Sequence, residues 1–166
     1  MVTLKPLAAA AFFLLGCFIL GCATGISPQA RSQVTYHGPF AALQSNPQGY
    51  LGQTVLLGGK ILEVKATPDF SELAVLQMPL GDGDRPQEAD QSQGRFLVRS
   101  DKFLDPAIYQ KDLRVTVVGQ VLGSEPRPIG ELTYPYLVLK AKEIKIWQPG
   151  QRFPVIFGFG IGTWIH

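Results

Sequence analysis

The sequence predicts an all-β domain, a small barrel of five to six strands with one or two short helices. Three observations lead to this prediction. Eighteen glycines and thirteen prolines in 166 residues indicate many turns. Runs rich in valine, leucine and isoleucine alternate in part with polar residues, at the two-residue period of a half-buried strand. The pair Gly58-Gly59 inside the first such run indicates a sharp bend or bulge, which helps a sheet to close.

Composition narrows the class of function. Apolar residues make up 46% of the chain and charged residues 17%, which is typical of a globular protein. The net charge of +2 is too small for a protein that binds nucleic acid mainly through phosphate contacts, so no nucleic-acid partner is expected. With two histidines, a histidine-rich metal site is not expected either.

The amino terminus has the pattern of a secretory signal. Lys5 precedes an uncharged apolar run, Leu7–Leu20, which is short for a membrane span. The run ends in Ile19-Leu20-Gly21-Cys22, which resembles the bacterial lipobox. That resemblance implies a thioether between diacylglycerol and the Cys22 sulfur, cleavage before Cys22, and acylation of the new amine. Residues 1–21 are therefore predicted to be a lipoprotein signal peptide, and the lipid on Cys22 would bind the membrane.

Two alternatives remain for this segment. Leu14-Leu15-Gly16-Cys17 is also an acceptable lipobox, but cleavage before Cys17 would leave three apolar residues beside the lipid. Cleavage before Cys22 leaves a polar segment instead and is preferred. In the second alternative, both cysteines are ordinary apolar residues of an uncleaved anchor.

The region after Cys22 is predicted to contain a linker and then a helix. Residues 22–38 are rich in glutamine, serine, threonine and proline, which favours a flexible tether. Phe40 and Leu43 then stand at helical spacing, and Pro39 occupies a plausible first-turn position. We therefore expect a short helix over residues 39–46 that packs on the barrel.

Five segments are predicted to be the strands: TVLLGGKILEVKA, FSELAVLQMPL, RFLVRS, LRVTVVGQVLG and YLVLKAKEIKIW. In the first, the apolar phase is expected to change at the glycine pair, so that Leu62 and Val64 share a face. In the fourth, Leu113, Val115, Val117 and Val121 face one way. In the fifth, a similar shift places Ile144 and Ile146 inward. The polar segments 81–94 and 125–136 are predicted to form a loop and a turn.

A helical turn is predicted between the third and fourth strands. Within residues 104–109, Asp105 stands at a capping position and Pro106 at the first helical position. Five strands, a bent first strand and this turn favour a closed or nearly closed barrel of the oligonucleotide/oligosaccharide-binding (OB) type over residues 39–148. Closure removes the exposed strand edges that invite aggregation.

These segments resemble the Slp family of bacterial outer-membrane lipoproteins. The similarity runs from about Phe40 to Trp147, and it is strongest in NPQGYLGQTVLLGGKI, ELAVLQMPL, GRFLVRS, FLDPAIY, RVTVVGQVLG and PYLVLKAKEIKIW. The resemblance implies a lipidated protein that faces the periplasm of a Gram-negative cell, with no established activity and no catalytic residues. By the same analogy, Ala23 after the cysteine permits transfer to the outer membrane, where an aspartate would favour retention in the inner membrane.

The sequence carries no recognised catalytic motif. The acidic loop that holds Asp82 and Asp84 lacks the glutamate of an EF-hand and is interpreted as solvated. His37 and His166 have no partner at metal-ligand or triad spacing. We therefore predict no catalytic residue, no metal site and no cofactor, and a protein that is not an enzyme.

A barrel of this type often binds ligands through an open face with basic and aromatic side chains. The candidates in this sequence are Arg95, Arg99, Lys102, Arg114 and Tyr109. In the alternative interpretation these side chains are scattered, solvated groups that keep the barrel soluble.

Residues 149–166 form a tail that is rich in aromatic residues and glycine. The tail is predicted either to form an extra strand or a segment packed on the barrel, or to contact the bilayer interface or an envelope protein. The second possibility would use Phe153, Phe157, Phe159 and Trp164. The tail is too short and too rich in glycine for a membrane-spanning helix.

Three functions are consistent with these features. The first is a non-enzymatic lipoprotein on the periplasmic face of the outer membrane that supports envelope integrity or stress adaptation. The second is a module that binds a glycan, a cell-wall fragment or a small metabolite. The third is an assembly or adhesion subunit that uses the aromatic tail.

Overall fold

The computed structural model describes residues 25–88 and 92–148. Two short helices come first, α1 at Pro28–Ser32 and α2 at Phe40–Ser45, and a 3-10 turn follows at Pro47–Tyr50. A second 3-10 turn lies at Asp82–Asp84. The five strands are β1 Thr54–Ala66, β2 Ser71–Met78, β3 Arg95–Ser100, β4 Arg114–Ile129 and β5 Leu132–Trp147.

The strands form a closed barrel in the order β1-β2-β3-β5-β4. The pairs β1–β2, β2–β3, β1–β4 and β4–β5 are antiparallel, whereas β3 and β5 run parallel over four Cα pairs, from Phe96↔Leu137 to Arg99↔Lys140. This order is that of a Greek-key barrel of the OB type. The predicted all-β fold with a small closed barrel and short helices is confirmed.

The barrel interior is filled by the inward-facing residues of all five strands, and each end has a cover. Helix α2 covers one end with Phe40 and Leu43, which are 3% and 0% exposed, and the Phe40 ring centroid lies 6.0 Å from that of Phe96. Residues 101–113, the β3–β4 connector, cover the other end. There Leu104 is 4% exposed, and its amide donates to the Ser71 hydroxyl at 3.0 Å. The predicted short helix over residues 39–46 is therefore present, at Phe40–Ser45.

The connector contains one hydrogen-bonded turn, as the capping pattern predicts. The amides of Ile108 and Tyr109 both donate to the Asp105 carbonyl at 2.9 Å. The Asp105 carboxylate accepts from the Ala107 amide at 2.8 Å. At the end of the connector, the Asp112 amide donates to the Ile61 carbonyl at 2.8 Å, which joins the connector to β1.

The predicted phase change at Gly58-Gly59 is wrong, because the shift occurs further along β1. Val55, Leu57 and Ile61 all belong to the core, and the register shift relative to β2 lies between Ile61 and Glu63. The glycine pair has another role. A Cβ on Gly59 would lie 2.3 Å from the Leu76 carbonyl oxygen and 2.4 Å from a methyl carbon of Val75. Glycine is therefore needed for the close approach of β1 to β2.

The shift predicted in the last strand is confirmed. Val118 pairs with Glu143 and Gly119 with Ala141, so Lys142 is the additional residue of a bulge in β5. Beyond the bulge Ile144 and Ile146 pack against the core. Leu113, Val115, Val117 and Val121 of the fourth segment also contact the core, as the alternation predicts.

The hairpin between β4 and β5 is longer than predicted. A turn was expected across residues 125–136, but pairing continues to Ile129↔Leu132, and Gly130 in the tight turn has a φ of 60°. Three prolines lie in this part of the hairpin, beyond the residues of β5 that pair with β3, where a strand tolerates proline. Around Leu97, the hairpin covers the outer face of β2 and β3 with Ile129, Tyr134 and Tyr136.

None of the helices in the described ranges is long and apolar enough to cross a membrane.

Substituting Gly59 tests the close approach of β1 to β2. We expect Gly59→Ala to lower the free energy of unfolding by about 1–3 kcal/mol, because the new methyl group must displace strand backbone. Lys65→Ala, at an exposed position of the same strand, should change it by less than about 0.5 kcal/mol. Urea denaturation would measure both. Equal stability of the two variants would contradict the steric role of Gly59.

Candidate functional site

The segment before the barrel is docked on it, which differs from the predicted flexible tether at residues 22–38. Ile26 and Ala30 are each only 6% exposed, because they pack against Val118 on the outer face of β4. Leu56 of β1 and Val34 complete this small apolar cluster. Further on, the amides of Thr35 and Tyr36 donate to the Thr54 carbonyl at 2.9 and 3.1 Å. The composition of this segment predicts a flexible linker, but the burial of Ile26 and Ala30 on the sheet holds the segment in place.

Polar contacts fix the start of α1. Ser27 caps the helix by accepting from the Ala30 amide at 3.2 Å. The Glu143 carboxylate of β5 accepts from the Ser27 amide at 2.8 Å and from the Ser27 hydroxyl. The sequence contained a signal for this helix, because serine followed by proline is a common helix start. The signal was missed because the helix has only five residues.

The loop at residues 81–88 joins the amino-terminal segment to the last strand. Asp84 is 8% exposed, not solvated as predicted, and its carboxylate lies against the Arg31 guanidinium. The Asp84 carbonyl accepts from the Thr116 hydroxyl at 2.6 Å, and the same hydroxyl accepts from the indole N–H of Trp147 at 2.8 Å. Gly25 lies directly against this loop, since a Cβ on it would be 2.9 Å from the Gly83 carbonyl oxygen. The loop at residues 81–88 therefore connects the start of the described chain, at Gly25, with the end of β5, at Trp147.

The five candidate ligand-binding residues do not converge on one face. Arg114 binds the Glu88 carboxylate at 2.6 Å, and Arg95 donates to the Tyr136 hydroxyl at 3.3 Å. Arg99 lies in a network of ion pairs, described below. Lys102 and Tyr109 are together, but at the end of the barrel that the connector covers.

Arg99 of β3 forms part of a network of ion pairs that joins the long hairpin to β2 and β3. Glu72, whose side chain is 4% exposed, binds Arg99 at 2.8 Å and Arg127 at 2.8 Å. Glu125 binds the same two arginines. Burial raises the pKa of Glu125, but the hydrogen bonds and charges of Arg99 and Arg127 outweigh this and hold it below the ordinary value of 4.5. The network is a structural clamp, because its charges satisfy one another.

Lys102 and Tyr109 line a cleft of about 360 Å³ between the connector and β5. Phe103, Glu143 and Ile144 also line it. Its walls combine aromatic, aliphatic and charged groups, and the Glu143 carboxylate is already bound by Ser27. Such a mixture suits a small polar ligand with one apolar face. Within the described ranges, no three side chains of His, Cys, Asp or Glu converge as a metal site.

Several predicted sites lie outside the described residues. These are the lipidation site Cys22 and the tail residues Phe153, Phe157, Phe159 and Trp164. Only Ala23 and Thr24 separate Cys22 from Gly25, where the docked segment begins. Three residues of extended chain span at most about 10 Å.

Comparisons with known proteins point to one family. A family model described as "Outer membrane lipoprotein Slp family" matches residues 19–157. The chain is 32% identical over 142 residues to "Uncharacterized lipoprotein YeaY" of Escherichia coli (strain K12), a match that covers 84% of this chain and 73% of that protein. It is 29% identical over 132 residues to "Outer membrane protein Slp" of the same organism, which covers 78% and 70%.

A solved structure was also found to be similar. It is the mitochondrial single-stranded DNA binding protein Rim1 of S. cerevisiae, with 17% identity and a TM-score of 0.37, and the match covers 60% of this chain and 99% of that chain. A likeness at this TM-score supports no statement about what this chain binds.

The ion-pair network predicts how stability depends on pH. A carboxyl whose folded pKa is depressed stabilises the fold above its ordinary pKa, and this contribution is lost as the pH falls through the folded pKa. We expect Glu125→Gln to be less stable than the wild type at pH 7 by about 0.5–1 kcal/mol, since the side chain is partly exposed and screened. The difference should close as the pH falls below the ordinary value of 4.5.

Urea denaturation from pH 7 to pH 3 would measure this difference. Asp101→Asn is the matched control, because Asp101 binds Lys140 at 2.8 Å with both side chains at least half exposed. Its effect should be small at every pH. A stability gap for Glu125→Gln that does not change with pH would contradict the role of its charge.

Proposed function

The chain belongs to the Slp family of outer membrane lipoproteins, and we propose that it is a non-enzymatic barrel that is anchored in the outer membrane through lipid on Cys22. In this proposal the barrel faces the periplasm and supports the integrity of the envelope. The description of the family and the name of one relative, "Outer membrane protein Slp", support the outer-membrane location. The lipobox-like residues Ile19-Leu20-Gly21-Cys22 support the anchor.

The docked amino-terminal segment is the observation that carries the proposal. A lipid on Cys22 would lie only three residues from Gly25, so the barrel would be held close to the membrane surface. A single acyl chain binds a bilayer only marginally, at about 0.8 kcal/mol per buried methylene. Two further chains would make the attachment effectively permanent. A tether this short suits a protein that acts at the membrane surface.

The charged groups of the barrel support a non-enzymatic role. Arg99 and Glu125, whose pKa values depart from their ordinary values, bind each other in the clamp on the outer face. Catalytic groups with shifted pKa values are typically gathered in a cleft. Here the clamp joins the long hairpin to β2 and lies apart from the cleft that Lys102 and Tyr109 line.

A second candidate function, ligand binding, is favoured by that cleft. Its volume of about 360 Å³ is large enough for a small ligand such as one sugar unit of a cell-wall fragment. Tyr109 and Phe103 offer aromatic surface, and Lys102 offers a cation for an acidic group.

Replacing each cysteine in turn tests the anchor. We expect the wild-type protein to begin at Cys22 and to carry a diacylglycerol thioether and an acylated amine, as seen by mass spectrometry of the amino-terminal peptide. Cys22→Ser should stay unprocessed and be absent from the outer-membrane fraction, because no thioether can form. Cys17→Ser is the matched control and should be processed like the wild type.

Equal recovery of Cys22→Ser and wild type in the outer-membrane fraction would contradict the anchor, as would failure of Cys17→Ser to be processed. In a strain that lacks the protein, the wild type but not Cys22→Ser should restore resistance to detergent. If Cys22→Ser restores resistance equally well, membrane attachment is not part of the function.

Ligand binding at the cleft can be measured separately. If the cleft binds cell-wall fragments, soluble muropeptides should raise the melting temperature of the wild type. Lys102→Ala and Tyr109→Ala should abolish this increase, whereas Lys111→Ala, at an exposed position of the same connector, should retain it. An identical melting temperature with and without muropeptides would contradict this second function.

A further inference from the structure

The connector at residues 101–113 exposes two large apolar side chains at one end of the barrel. Phe103 is 69% exposed and Ile108 is 55% exposed, although their neighbours Leu104 and Tyr109 pack on the core. Single exposed apolar residues are common on soluble proteins. The significance of this pair depends on where the connector lies relative to the two ends of the described chain.

The chain leaves the barrel beside the connector. The connector runs directly into β4, whose first residue, Arg114, pairs with Trp147, the last residue of β5. The sequence that follows Trp147 is the aromatic and apolar tail of residues 149–166. The last strand therefore ends, with Trp147, at the end of the barrel that carries Phe103 and Ile108.

The chain also enters near the same end. Gly25 lies against the loop at residues 81–88, which binds Thr116, and Thr116 binds the Trp147 indole. The Glu143 carboxylate that holds Ser27 lines the same cleft as Phe103. At most about 10 Å of chain would thus separate Cys22, with its lipid, from Gly25, which lies at the side of the barrel near this end.

We propose that this end of the barrel lies against the phospholipid bilayer, with Phe103 and Ile108 inserted into its interface. The inference rests on the proposed lipid on Cys22, which brings the end to the membrane, and it adds a fixed orientation to that anchor. Aromatic and aliphatic side chains on an exposed turn are suited to the boundary between headgroups and acyl chains.

The charges around the connector indicate which force drives this contact. The connector carries Lys102 and Lys111, but also three aspartates, Asp101, Asp105 and Asp112. Attraction to anionic lipid is therefore small, and insertion of apolar side chains is the main contribution. Nearby, Arg85 and Lys145 stack on the Trp147 ring at 5.3 and 5.9 Å, an arrangement of cation and indole that suits an interface.

The tip of the β4–β5 hairpin provides a matched control at the opposite end. Leu132 is 75% exposed, more than either residue of the connector, and it lies fifteen residues before Trp147 on β5. Tyr134, two residues further on, contacts Gln44 of α2, the helix that covers the other end. Leu132 is therefore apolar and exposed but is directed away from the proposed membrane contact.

The test uses the full chain, purified from membranes and placed in vesicles of phosphatidylethanolamine and phosphatidylglycerol. Phe103→Cys, Ile108→Cys and Leu132→Cys are each labelled with an environment-sensitive dye, with Cys22 blocked by its lipid. We expect the dye at 103 and 108 to shift its emission to shorter wavelength, to brighten about twofold or more, and to be quenched by a spin label on the lipid, because these positions leave water. The dye at 132 should do none of these.

Two results would overturn the proposal, and they are distinguishable. If dyes at 103, 108 and 132 emit alike on an anchored chain, the orientation is wrong while the anchor stands. If the wild-type chain itself takes up dye at Cys22, the lipid anchor is wrong and the orientation fails with it. High salt should leave the difference between positions 103 and 132 unchanged, and its loss in salt would contradict apolar insertion.

Discussion

The parallel pairing of β3 with β5 closes the barrel and determines where the chain must cross one of its ends. Only four Cα pairs join the two strands, from Phe96↔Leu137 to Arg99↔Lys140. Because β4 lies on the other side of β5, the chain that leaves β3 must cross one end of the barrel to reach it. The crossing buries Leu104 and leaves Phe103 and Ile108 in solvent. The position of these two exposed side chains at the end of the barrel is thus a consequence of the strand order.

The outer face of the barrel is covered to a large extent by the chain itself. The amino-terminal segment covers Val118 and Leu56, and the long hairpin covers Leu97 and Val138. The hairpin is then fixed to β2 by the pairing of its Arg127 with Glu72, and to β3 by the pairing of its Glu125 with Arg99. A face that an OB-type barrel often offers to ligands is therefore occupied, which leaves the barrel ends for other contacts.

The sequence predicted the strands well because alternation of apolar residues reports directly on a half-buried sheet, as in Val115, Val117 and Val121. It misplaced the bend in β1, because a glycine pair signals close approach as well as a bulge, and only the packing of Gly59 on Leu76 distinguishes the two. The sequence predicts Arg99 as a ligand-binding candidate and does not reveal its ion pairs, because its partners Glu72 and Glu125 are 27 and 26 residues away in sequence. Such ion pairs depend on the course of the hairpin, which local patterns do not specify.

A lipid on a flexible linker would hold a domain near a membrane without orienting it. Here only two residues separate Cys22 from the docked Gly25. A lipid on Cys22 would therefore keep the nearby end of the barrel close to the bilayer interface, which corresponds to a high effective concentration. A contact by two side chains that is too weak to recruit a protein from solution would then become largely populated, because the lipid would already have met its translational cost. Strand β5 ends with Trp147 at that same end, and the tail follows it in the sequence. Anchor, connector and tail would in this way act on one surface, and the orientation of the barrel would follow from their shared position.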